Sequence, residues 1–273
     1  MSQATADTAE QRDLRQLLQI LDKIEPWIAA VSSNDRPTGI WTPQPRSPLS
    51  TDDARTHPYQ VSHRAWAALT AAVDFLHCFK RSLLQSVTED TVNVRLHSYA
   101  QTSLLRGAIE NAAVAVCLLA RSRAERITTR LQLEWKELKS VYALRKLAGV
   151  EPEFTIDERR IRLERLLLGA GLPATIALEA SDEMKLRAAR AALRDCDYVM
   201  LVRRAGELTN GAGAVLCEAC WRMCSGLAHG DMAATLGLLP GVFNEDVAVV
   251  RGEDGRAEKR PASGCWAGRW SSR

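Results

Sequence analysis

The segment Cys217–Gly230, CEACWRMCSGLAHG, carries Arg222 and His229 seven residues apart on a stretch that otherwise reads as a buried helix. A helix turns about 100° per residue, so that spacing returns to one face roughly 10.5 Å along the axis. Glu218 and Gly226 fall on the same stripe, whereas Leu216, Cys217, Cys220, Cys224 and Leu227 fall opposite. Imidazoles exchange protons near neutral pH, and guanidinium groups hold oxyanions through a fork of donors. The stripe is therefore either a site or a buried structural ion pair.

A second polar stripe runs through the apolar stretch around Leu104–Leu119. It consists of Ser103, Arg106, Gly107 and Glu110, with Arg106 and Glu110 four residues apart. A buried charge is expensive unless paired. The partners expected for this stripe are Arg222 and His229, so the two helices should face each other and share a polar network. Cys217, Cys220, Cys224 and His229 resemble a zinc spacing on paper, but helical phase sends the three sulfurs to the apolar face. Core packing is the expectation, with no metal. No P-loop, dinucleotide fingerprint or nucleophile elbow occurs, and no cofactor is expected. Arg159, Arg160, Arg162 and Arg165, followed by Arg187, Arg190 and Arg194, make either a solvated basic surface or a polyanion patch.

The elements that must position these residues are helical. Apolar periodicity predicts helices over 11–31 (kinked at Pro26), 61–84, 92–120, 123–147, 155–169, 181–208 and 214–229. Gly149 and Pro152 terminate the fourth, Gly169 and Gly171 the fifth, and Ser181 caps the sixth. Residues 32–58 hold five prolines and read as a long loop. No alternating strand with turn signals stands out, and the one β-like run, Val242–Val250, is weak. The expected fold is an all-α bundle of about six to seven helices. It divides into an N-terminal helix and Pro-rich linker (1–58), a bundle domain (59–240) and a disordered tail (241–273).

Composition limits the function classes. The 273 residues are 46% hydrophobic and 25% charged, ordinary for a globular chain. The longest apolar run, Ala112–Ala120, is far short of a membrane span, and no secretory signal opens the chain. A cytoplasmic protein without membrane attachment is expected, its seven cysteines reduced. Arginine supplies 29 of the 36 basic residues, the bias of a GC-rich bacterial genome. Net charge is +3, all of it from residues 251–273, so the body offers no broad attraction to nucleic acid.

LLRGAIENAA at Leu104–Ala113, the later helix with Glu134, Trp135 and Glu137, and WRMCSGLAHG at Trp221–Gly230 together resemble uncharacterised helical proteins of high-GC actinobacteria and their mobile elements. The last stretch also resembles the HEPN superfamily of all-α domains, whose hallmark is an arginine, four to six residues, then a histidine on one late helix. Arg222 and His229 fit the widest spacing, and Met223 stands where active members carry a polar residue. The resemblance spans about residues 60–232. It implies metal-independent RNA cleavage by a homodimer, with His229 as acid/base and Arg222 as phosphate clamp. Glu110 or Arg106 would support them, and Ser225 would be an extra donor. The alternative is a non-enzymatic helical module binding a protein or nucleic acid, with Arg222 and His229 a structural pair.

Overall fold

The computed structural model describes residues 9–32, 42–87, 92–151, 153–173, 180–194, 196–209 and 211–231, together with the backbone of 247–251 and 257–261. Within them the chain is all-α with two small antiparallel strand pairs. In order come α1 (Ala9–Asp22), α2 (Glu25–Ser32), α3 (Pro48–Thr56), α4 (Val61–Leu83), β1 (Leu84–Val87), β2 (Val92–Val94), α5 (Ser98–Leu119) and α6 (Arg123–Leu147). They are followed by α7 (Ile156–Gly169), α8 (Asp182–Ala192), α9 (Tyr198–Gly206), α10 (Gly213–Ala228), β3 (Val247–Arg251) and β4 (Ala257–Pro261).

Local chemistry sets many boundaries. Ser122 with Glu125, and Thr155 with Glu158, form reciprocal capping boxes at the starts of α6 and α7. Gly149 (φ 67°), Gly171 (φ 74°) and Gly230 (φ 70°) end α6, α7 and α10 in the left-handed conformation. Each closes paired bonds back onto its helix, such as Gly149 N–H to Lys146 O and Val150 N–H to Arg145 O.

Four features depart from the sequence reading. The first helix is two helices, because Pro26 begins a new one. The proline-rich stretch contains α3, capped by Ser47 and pinned by Asp52, which is fully buried and receives Arg126 Nε at 2.8 Å. Residues 92–94 are a strand paired antiparallel with β1, and α5 starts only at Ser98. There the side chain of Gln101 receives the His97 N–H and donates to Arg95 O. The sixth predicted helix is α8 and α9. Asp197 caps α9 by accepting from Val199 N–H, while α6 supplies Gln132 to Ala192 O and Lys136 to Cys196 O. Most of the expected disordered tail lies outside the described residues, and within it β3 pairs antiparallel with β4.

The chain forms two compact units. One comprises Met1–Ala29, Asp74–Arg106 and Met223–Arg273, and the other Ala30–Val73 and Gly107–Arg222. The first has a small core of Leu21, Phe79 and Leu83, with Leu104 and Leu105 packed on it. The second has two cores. One joins Val61, Ala65 and Ala68 of α4, Ala113–Leu118 of α5, and Leu201, Val202 and Ala205 of α9. The other joins Ile127 and Leu131 of α6, Leu163 and Leu167 of α7, and Ala189 of α8. Helix α6 serves both, burying every residue from Leu131 to Leu133. At its far end Leu144 and Leu147 are exposed.

Gly206 shows how closely α9 and α10 approach. A Cβ built there would lie 2.7 Å from Gly213 O and 2.9 Å from Ala214 Cα, both backbone. Only glycine admits that contact without a shift of main chain.

Candidate functional site

The first group of interest lies in the first unit. Arg106, on α5, directs Nη1 to within 2.7 Å of His229 Nε2. His229 is the last residue before the left-handed Gly230, whose N–H bonds Leu227 O while the Asp231 N–H bonds Gly226 O. That termination fixes the backbone of His229 and leaves its side chain exposed. A guanidinium only donates, so Nε2 is the acceptor in this contact. The sequence expectation that Arg106 and His229 meet is met. Ser225 accepts the His229 N–H through its backbone carbonyl, and its hydroxyl makes no hydrogen bond among the described residues.

The second group lies in the second unit, on α5, α9 and α10. Glu110 accepts from Trp221 Nε1 at 2.9 Å. Glu218 accepts from Arg222 Nε at 2.7 Å and from Arg203 Nη1. The carboxylate is recessed, 15% exposed, whereas Arg203 and Arg222 are 49% and 62% exposed. Hydrogen bonds from Arg203, then Arg222, hold the Glu218 carboxyl below its ordinary range. This corrects the expectation that Arg222 belongs to a buried network with Glu110. It lies at the surface, bonded to a carboxylate one turn earlier on its own helix.

Sequence reasoning missed Arg203 and Trp221. The dipeptide Arg203–Arg204 in the last turn of α9 was visible, but reading α8 and α9 as one helix hid where it points. Trp221 was counted as part of a motif, and its indole N–H needs an acceptor when partly buried. Leu216, assigned to the buried face of this helix, is 53% exposed.

Other sequence candidates resolve locally. Cys217 and Cys220 are half-buried and Cys224 is buried. Among the described residues, no group of three or more His, Cys, Asp or Glu side chains is placed to hold a metal ion. In the arginine-rich helices, Arg160 and Arg190 both meet buried Glu164, Arg159 lies over the Phe154 ring, and Arg162 lies over Tyr59. Much of that surface is therefore internally compensated. Among the described residues, only α5 is long and apolar enough by composition to cross a membrane. It also carries Arg106 and Glu110, and it buries Ala108, Ala113–Ala115, Cys117 and Leu118 within the protein.

No protein-family model, no curated protein and no solved structure matches this chain.

Proposed function

We propose that this chain is a cytoplasmic, HEPN-like homodimer that cleaves RNA without a metal ion, in defence against mobile elements or as a toxin. The observation that carries this reading is the exposed His229 ring held by Arg106. An exposed imidazole is within reach of an RNA substrate, as a general acid or base must be. In the proposed reaction a ribose 2′-hydroxyl attacks the adjacent phosphorus and the P–O5′ bond breaks. The products are a 2′,3′-cyclic phosphate and a 5′-hydroxyl. His229 takes the 2′-hydroxyl proton at Nε2, once the arriving phosphate has drawn Arg106 from that nitrogen, or returns one from there to the leaving O5′. Arg222 holds the phosphate and offsets the charge that grows on it, Arg106 positions the imidazole in the resting chain and turns to the phosphate when it arrives, and Glu110 and Ser225 support the set.

The test is incubation of the full chain with total RNA and labelled tRNA in EDTA. Wild type is expected to leave cyclic phosphate ends. His229→Ala is expected to lower the rate by about 100-fold or more, with the melting temperature little changed. Absence of cleavage by wild type, with His229→Ala less stable, would make the pair structural. One observation favours that second reading, a helical module binding a protein or nucleic acid: Arg222 is already bonded to Glu218.

A further inference from the structure

We propose that Arg203 and Arg222, aligned by Glu218, form a two-guanidinium seat for a phosphate of an RNA backbone. This rests on the ribonuclease reading for its choice of ligand, and it adds Arg203, which neither the motif nor the resemblance includes. Glu218 engages Arg222 through Nε and Arg203 through Nη1. Glu218 takes one nitrogen from each fork, and both arginine side chains are about half exposed or more. One carboxylate compensates one of two fixed positive charges, so the group retains a net +1 at its outer rim. A phosphodiester carries the complementary charge and offers oxygens that arginine forks bind bidentately.

Two features make this a prepared seat. A free arginine samples many rotamers, and ordering it on binding costs affinity. Here Glu218 orders both before a ligand arrives, and bonds from both arginines keep it ionised below the ordinary carboxylate range. Separately, the backbone contact at Gly206 fixes α9 against α10 one turn from Arg203 and beside Cys217, the neighbour of Glu218. The two arginines thus come from helices whose main chains approach so closely at Gly206 that no Cβ fits between them.

The experiment measures binding of the full chain to a labelled 2′-O-methyl RNA oligonucleotide, which cannot be cleaved, across a salt series. Arg203→Gln and Arg222→Gln are each expected to raise Kd about five- to thirty-fold and to lower the salt slope by about 1. Arg203→Lys keeps the charge but loses the fork, and is expected to recover only part of the affinity. Arg55→Gln, removing the same charge from the end of α3, should stay within about twofold of wild type. No binding by wild type, or an equal loss from Arg55→Gln, would overturn the seat. Full displacement by millimolar inorganic phosphate at constant ionic strength would assign it to free phosphate and overturn the RNA claim. Arg203-dependent binding without any cleavage of unmodified RNA would leave the seat standing and remove the nuclease.

Discussion

At the scale of single residues, the chain separates exposed chemistry from buried packing. His229 and Arg222 lie outside the cores, so their replacement should be felt in function more than in stability. The buried thiols behave oppositely. Burial pushes the Cys196 thiol from its ordinary value of 9.0 up to about 11, and raises Cys117 and Tyr198 in the same direction. The unfolded chain then loses these protons at lower pH than the folded one. Stability is full below pH 9 and falls as pH rises toward 11. The Cys196 displacement corresponds to roughly 2–3 kcal/mol. Urea midpoints between pH 8 and 11 should fall steeply for wild type and less steeply for Cys196→Ala, with a residual slope from Cys117 and Tyr198. A parallel fall in both proteins would show that Cys196 is not the group responsible.

At the scale of elements, a few contacts hold helices whose sequence alone does not place them. Asp52 is fully buried on α3 and receives both Arg126 Nε and Nη2. Asp52→Ala would strand a guanidinium that is 12% exposed, and should cost about 3–5 kcal/mol in urea unfolding. The bridge of Lys80 to Asp22 is different, because Asp22 is 68% exposed. Asp22→Ala should cost about 1 kcal/mol or less. Gly206→Ala would push a methyl into the backbone of Gly213 and Ala214. We expect a loss of about 2 kcal/mol or more, accompanied by weaker oligonucleotide binding as Arg203 shifts from Glu218. Unchanged stability in this variant would mean that α9 and α10 separate readily, and would weaken the case for a prepared seat.

At the scale of the whole molecule, the functional proposal includes two copies of the chain. In the proposed homodimer each chain would carry half a site, with the Arg222–His229 segments of two copies meeting across a two-fold axis. Light scattering on the purified chain should give twice the 30.1 kDa mass. Mixing His229→Ala and Arg222→Ala proteins should restore part of the cleavage if each active site draws on both copies. A monomer that cleaves RNA at full rate would remove the dimer from the proposal while leaving the chemistry of His229 intact.

The helical class, most helix boundaries and the meeting of α5 with α10 were legible because each rests on local or periodic chemistry. Apolar spacing of 3.6 marks a face, and Ser181, Gly149, Gly171 and Gly230 mark ends through cap geometry that involves only a few neighbouring residues. The polar stripe of Arg106 and Glu110 pointed to partners because buried charge demands them. What the sequence did not contain was the outcome of competition between distant groups. The break between α8 and α9 is held open by Gln132 and Lys136 of α6, some sixty positions away. Helix α3 has local start signals in Ser47 and Pro48, but its docking through Asp52 on Arg126 is a long-range contact. The last turn of α6 continues the apolar periodicity and yet Leu144 and Leu147 are exposed, since periodicity specifies a face but not what covers it. Arg222 could be assigned to a stripe, but only packing decided that it turns to Glu218 and shares that carboxylate with Arg203. Local periodicity and capping determined the elements; long-range packing, which selects among several available partners for each charge, decided which side chains stand together.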